Sequence, residues 1–514
     1  MKVKSYLFII MSVFMMVLIA GHPISLAAPK GKVVVGLSSD PHYLDVHQGF
    51  AGNHMHFHIN SFEGLYNRNW KGELIPGIAV SYELKDNGLT YIFKIRKGVK
   101  FHNGDPLTAE DVKFSYDRVR DPATKCPWAS WWRNMDRVEV LDPYTVAFYW
   151  KKQAAAFINQ TTWLNAGAIV PKQYTEKVGI EGFSKFPIGT GPYKFVSYTH
   201  GQNLVMEVFK DYWGKLPEVK TIEFKVIPEL GARLAALKTG EIQIMQQVPP
   251  FEAEAMKYTP GLKLAVASNG EVFYYNLCGV AEPAGQAEFR KLKVRQAFNY
   301  AVNKKEIAEK IFRGYVTVTN SCVAPSLPGY DPNCPGYPYD PQKAKQLLEE
   351  ANYKWDTPIV MNVARGRWTM NEEASLAIAS YLTAVGINAR VKFMEYSEWA
   401  SLLRAKKLAD MTNQNRSNSA WDAEGSLNAS VRTGGAFAFL ENSPELDQMI
   451  EALSGIYEPK ARNEQFRKIY WKIYEEATDL FLWEFQDIWG MSAKLDWQMG
   501  SGERWAHFEH LKFK

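Results

Sequence analysis

Cysteine is scarce in this sequence, with four in 514 residues, at positions 126, 278, 322 and 334. So sparse a set excludes a disulfide-built scaffold, and its spacing matches no Cys-rich zinc site. Long apolar runs are equally rare. Beyond the first 27 residues, no stretch approaches the roughly 20 apolar residues that a membrane-spanning helix needs. No sign of charge dominates, since 60 Lys and Arg face 55 Asp and Glu. The small surplus is scattered, without the basic stripe of a nucleic-acid binder. Glycine and proline stand near their ordinary shares, which excludes collagen-like and low-complexity chains. Missing as well are the GxSxG elbow, the Walker loop, HExxH, the dinucleotide-binding glycine fingerprint and the calcium loop. GTGPY at 189–193 leads into a strand rather than a helix, so it reads as a turn. The adjacent acids Glu110/Asp111 and Glu372/Glu373 open helical patterns, where the positive helix end accounts for them.

What is abundant is aromatic: 16 Trp, 26 Tyr and 28 Phe. Such side chains fill cores, and they also line pockets for organic ligands. The length exceeds what one hydrophobic core supports, so two or more domains are expected.

Lys2 and Lys4 precede an uncharged run, Tyr6 to Ala20, and small residues Ser25 and Ala27 mark a cleavage site after Ala27. This is the pattern of a secretory signal peptide over residues 1–27. No cysteine stands there to carry a lipid, so a soluble exported protein is expected, in the periplasm and without a lipid anchor. Loss of Lys2 and Lys4 lowers the formal charge of +5 by two. An oxidising compartment permits disulfides. Cys322 and Cys334 enclose a Pro/Gly-rich loop that a bridge would stabilise by about 2–3 kcal/mol, and Cys126 with Cys278 is the second expected pair.

Residues 52–65 carry Met55, Ile59, Phe62 and Leu65 at helical spacing, with Asn53 as a candidate cap. Ser81–Lys85 and Thr90–Ile95 flank the turn residues Asp86, Asn87 and Gly88, a hairpin signal. Thr108 and Asp111 form a capping box ahead of Val112, Tyr116 and Val119. Residues 291–312 hold two helical patterns divided by Asn303, and 358–395 alternate strand, helix and strand, a parallel α/β unit. The chain is strand-rich to about residue 270 and helix-rich from about 290, with no Gly/Ser linker between.

Three polar concentrations are candidate sites. His42, His47, His54, His56 and His58 crowd 17 residues. On a helix His54 and His58 share a face and are able to chelate a borderline metal, or to hydrogen-bond an organic ligand. Arg365, Arg367 and Trp368 follow a predicted strand, where α/β proteins place ligands. Two guanidiniums there suit a carboxylate, and the indole suits an apolar group. TNQNRSNSAWD, 412–422, is amide-rich and suits hydrogen bonding without charge.

PGIAVSYELKDNGLTYIFKIRKGVKFHNGDPLTAEDVKFSYDRV (76–119), PIGTGPYKF, KVRQAFNYAVNKKEI and YDPQKAKQLLEEANY occur in that order. With them the mature chain resembles the extracellular solute-binding protein family 5 of ABC importers, which includes oligopeptide, dipeptide and nickel binders. The resemblance implies an α/β, bilobal periplasmic-binding-protein clamshell of type II, cluster C-like, with an extra subdomain in lobe one. Lobe one would span 29–273 and 490–514, the inserted subdomain about 66–190, and lobe two 274–489. The implied function is capture of a small organic solute between the lobes and delivery to an inner-membrane ABC permease, as a monomer without cofactor or catalytic residues. His54, Met55 and His58, and Arg365, Arg367 and Trp368, match stretches that face the cleft in relatives, and Tyr275 and Asn276, at the crossover strand ahead of KVRQAFNYAV, are further expected ligand-binding residues. Peptide-binding relatives carry an acid in the loop that here reads MTNQNRSN (411–418), so Arg416 stands where ammonium would be met, with Trp421 beyond it. A cation at that place favours carboxylate over ammonium. The expected ligand is a carboxylate-bearing or modified solute rather than an ordinary peptide. A nickel or metal-chelate binder using His54 and His58 is the alternative, and a secreted hydrolase the rival of another class.

Overall fold

The computed structural model describes residues 28–50, 52–279, 287–356, 358–408, 410–417, 420–441, 443–502 and 504–514. The signal-peptide segment 1–27 lies outside the described residues.

An eleven-stranded mixed sheet runs through the molecule. On one side Lys30–Leu37 pairs in parallel with Val219–Val226 and Ile244–Met245, and Asn203–Val208 and Tyr193–Thr199 extend the edge. Val33, Val35 and Leu37 are fully buried, and their core includes Phe57, Phe62, Phe224 and Trp489. On the other side Pro358–Ala364, Asn388–Met394 and the helix Asn371–Ala384 between them form the expected parallel α/β unit. Met411–Ser417 joins that unit to the centre of the sheet. Leu292–Ala301 and Lys304–Lys310 pack on this side, and Asn303 caps the second helix through the Glu306 amide.

Two long antiparallel strands, Leu262–Leu277 and Asp479–Ser492, belong to both sides. Leu262–Ser268 pairs with Gln486–Ser492 in the first lobe, and Val272–Asn276 pairs with Asp479–Glu484 in the second. The register breaks between Ser268 and Val272. Gly270 sits in the break at φ +74, and a Cβ there would lie 2.6 Å from the Gly502 carbonyl oxygen. Glu484 accepts the Gly270 amide at 3.1 Å, Asn269 donates to Asp487 at 3.0 Å, and Arg504 lies 3.1 Å from Glu271. Glu484, together with Asn269 Oδ1, which accepts the Glu271 amide at 3.0 Å, thus satisfies the backbone where the ladder is interrupted.

The insertion is a four-stranded antiparallel sheet in the order Ala79–Lys85, Thr90–Ile95, Thr145–Trp150, Met135–Asp142. Helix Ala109–Arg120 backs it, and the Thr108/Asp111 capping box forms as its residues require. The second lobe rests on this insertion. The Tyr457 hydroxyl donates to the Gly88 carbonyl at 3.0 Å and accepts the Ala154 amide at 3.3 Å, and the Ala155 amide donates to the Ser454 carbonyl at 3.1 Å. The second lobe and the insertion are therefore in direct contact.

Two expectations need correction. The helix predicted over 52–65 is shorter, Met55–Ser61, with His54 rather than Asn53 at its cap. Asn53 instead donates to the Ser39 carbonyl, tying the helix to the preceding loop. The disulfides are absent: Cys126, Cys278, Cys322 and Cys334 are all free thiols. Cys126 and Cys278 lie in different cores, and Cys322 is buried against Tyr274 and its neighbours while Cys334 stays on the loop.

Thiol titration of the denatured, unreduced protein is expected to find four reactive cysteines. Gly270→Ala should cost about 1–3 kcal/mol in urea denaturation, from the forced left-handed φ and the close approach.

Candidate functional site

Met55, Ile59 and Phe62 follow at i, i+4 and i+7, so one face of the short helix and its exit point the same way. That face lines a cavity of about 90 Å³ between the first lobe, the insertion and Trp421 of the second lobe. The chain then passes through Glu63 into the hairpin Tyr66–Arg68/Leu74–Pro76, which brings Arg68 to the cavity wall. Arg68 donates to the Gly72 carbonyl and to Asn159 Oδ1, each at 2.8 Å. Its guanidinium carbon lies 4.7 Å from the centre of the Trp421 ring. Trp421 holds φ +57, uncommon for a bulky residue, and lies over Gly72 and Gly502. A Cβ at Gly72 would fall 1.9 Å from the indole, so only glycine admits Trp421 here. Trp163 and Trp213 form further walls, and Arg96 stacks 4.0 Å from the Trp213 ring.

Glu63 borders the same cavity and is 3% exposed. It accepts from Thr190 at 2.8 Å, Trp213 at 2.9 Å and Tyr212 at 3.2 Å. Burial pushes its carboxyl up to about 7, with these donors pulling the other way. Thr190 belongs to the GTGPY turn, whose hydroxyl serves this anchor. Cavity chemistry is thus one guanidinium and three indoles at the lobe boundary, with the carboxyls of Glu63 and Glu509 beside them.

The predicted residues divide. Met55 and Trp421 line the cavity. His54 and His58 do not, because the helical turn that aims Met55 at the cavity turns them away. His54 packs edge-on to Tyr43 and beside His58, with ring centres 5.3 and 5.1 Å apart, and His58 meets Asn165 at 3.3 Å. Burial lowers His54 to about 4, so it is neutral near pH 7. Among the described residues no three His, Cys, Asp or Glu form a group able to hold a metal ion. Tyr275 is buried, its hydroxyl 2.6 Å from Ser375 Oγ. Asn276 is buried, donating to Asp479 at 2.8 Å and accepting from Gln414. Arg365 and Arg367 are exposed, lying over Phe393 and Tyr396 at 5.1 and 5.5 Å. Trp368 packs between Phe273 and Trp399.

Arg416 does not line this cavity. It is 3% exposed and turned into the second lobe, 4.7 Å from the Tyr274 ring and 3.6 Å from Asp479. The amide-rich run around it is a buried strand whose side chains bond internally, as Asn413 does to Asn371 at 3.0 Å. Asp422, the last residue of the 412–422 run, is gripped by Arg462 at 2.7 Å. The cation at the cavity is Arg68. Sequence reasoning passed over Glu63, Arg68, Trp163 and Trp213. The available signal was EGLYNRNW (63–70), where an acid, an arginine and aromatics directly follow the helix.

This architecture is that of a bilobal periplasmic-binding-protein clamshell with an inserted subdomain. NikA from Brucella suis, solved in complex with Fe(III)-EDTA, superposes with TM-score 0.80 over 94% of this chain and 100% of its own, at 22% identity. The oligopeptide-binding protein AppA from Bacillus subtilis, in complex with a nonapeptide, does so with TM-score 0.76 over 94% and 99%, at 25% identity. The model of the bacterial extracellular solute-binding proteins, family 5 (middle), matches residues 73–438. The glutathione-binding protein GsiB of Escherichia coli K12 is 30% identical over 347 residues, 67% of this chain and 66% of its own length. The chain belongs to the bacterial extracellular solute-binding proteins, family 5. Membership places it among binding proteins, not hydrolases.

The Glu63 carboxyl makes a pH prediction. Its folded value lies above its ordinary one, so its contribution is whole below about pH 4.5 and is lost as pH rises through about 7. Between those limits the wild type should lose on the order of 3 kcal/mol relative to Glu63→Gln, read from urea denaturation of both proteins across that range.

Proposed function

We propose that this chain is the substrate-binding component of an ABC importer, capturing a small carboxylate-bearing organic solute in the periplasm and delivering it to a membrane permease. The supporting observation is Arg68, held at the lobe boundary under the indole of Trp421 from the opposite lobe. A guanidinium meets a carboxylate through paired, charge-assisted hydrogen bonds, and stacked indoles accept the apolar part of the same solute. The resemblance to a glutathione-binding protein fits such a ligand, because glutathione carries two carboxylates on a small organic frame. Lobe one is assigned to 29–273 and 490–514, the insertion to about 66–190, and lobe two to 274–489. The register break between Ser268 and Val272 supports the first boundary. Ligand in the cleft favours the closed arrangement through contacts made only there, and the permease reads the closed form.

Glutathione in hundredfold excess over its dissociation constant would stabilise the chain by about 2.7 kcal/mol, seen as a rise in melting temperature. Arg68→Ala should remove most of the rise while leaving weak binding measurable. Trp421→Ala should weaken binding about tenfold, a loss of stacking. A full rise in Arg68→Ala, or a rise with neutral peptides and none with acids, would contradict the proposal.

A further inference from the structure

We propose that Asn159 is a positioning residue that orients Arg68 for a ligand carboxylate only when the lobes are closed. The inference rests on the solute-capture reading and adds the device by which closure and recognition are joined.

Asn159 lies in the short helix Phe157–Gln160 of the insertion. Its Oδ1 accepts from Arg68 at 2.8 Å, and its Nδ2 donates to Asp422 Oδ2 at 3.2 Å. Asp422 is a residue of the second lobe and is buried. Arg462 holds it through two bonds, Nε to Oδ2 at 2.7 Å and Nη2 to Oδ1 at 2.8 Å. Glu424 adds a second carboxylate 2.8 Å from the same guanidinium. The order across the lobe boundary is therefore guanidinium, amide oxygen, amide nitrogen, carboxylate. A side-chain amide has one accepting and one donating end, so this order admits a single amide orientation. Asp422 sets the orientation, and the orientation offers Arg68 an oxygen rather than a competing N–H.

Trp421 precedes Asp422 directly. One movement of the second lobe thus brings both the ring that lies over Arg68 and the carboxylate that fixes its partner. Opening withdraws both together. Asp422 is already paired with Arg462, so the link to Asn159 carries orientation more than net charge. A carboxylate at 159 would instead face Asp422 at hydrogen-bond distance, and like charges so placed repel.

The test is fluorescence titration of the mature chain with glutathione and with its diethyl ester, which keeps the frame but removes the carboxylate charges. Asn159→Ala should weaken glutathione by about tenfold, the scale of a lost charge-assisted contact, and the diester by less than about threefold. In an Arg68→Ala background the same change should add nothing, since the two act as one unit. Asn159→Asp, with an unchanged melting temperature as evidence of folding, should bind glutathione more weakly still and show a larger radius of gyration in solution scattering. Equal losses for both probes, or an undiminished Asn159→Ala effect without Arg68, would overturn the role given to Asn159 while leaving solute capture intact. Failure of the parent reading looks different. The wild type would then bind the diester as tightly as the acid, or bind neither, or Arg68→Ala would keep the acid preference.

Discussion

The pairing of Leu262–Leu277 with Asp479–Ser492 is the constraint on which the rest depends. Each strand contributes buried residues to both lobes, Ala265 and Trp489 on one side, Phe273 and Trp483 on the other. The lobes share one ladder, whose register is interrupted between Ser268 and Val272 and shifts again between Phe273 and Tyr274. At the interruption Gly270 supplies the backbone freedom, and Glu484 and Asn269 accept the Gly270 and Glu271 amides in place of lost ladder partners.

Closure brings the second lobe onto the insertion through a small set of contacts. Each neutral hydrogen bond there contributes about 1 kcal/mol, and the Arg68–Trp421 stack about 0.5–2 kcal/mol. Contacts of that size bias an equilibrium without locking it, which suits a protein that must release what it captures. Ligand adds the remainder by binding a surface assembled from both lobes. Trp421 is central because it supplies the cavity wall from the second lobe, at the cost of a left-handed backbone.

Much of the fold was legible because its signals are local. The Asp86–Gly88 hairpin, the Thr108/Asp111 capping box, the Asn303 cap and the strand–helix–strand unit at 358–394 each depend on neighbours in sequence, and each forms. The site was less legible because facing is decided by tertiary packing. Met55 and His54 are adjacent, yet a helix turns about 100° per residue, which puts one at the cavity and the other against Tyr43. Arg416 read as a ligand cation because its loop position suggested the cleft. The strand pairing with Leu262–Leu277 buries it instead, and Asp479 and Tyr274 were invisible as its partners at 63 and 142 residues' separation. Arg68 escaped notice for the converse reason. Its partners Asn159 and Trp421 are distant in sequence, and Trp421 comes from the other lobe. The cysteines show the same limit, since short spacing between Cys322 and Cys334 says nothing of one thiol being drawn into a core.

Native mass spectrometry of the full mature chain as purified tests the central claim most directly. Capture of a carboxylate-bearing solute at Arg68 predicts a single retained organic mass, released on denaturation, that identifies as an acid and is missing from Arg68→Ala. A retained ligand without a carboxylate, or one held equally by Arg68→Ala, would contradict it.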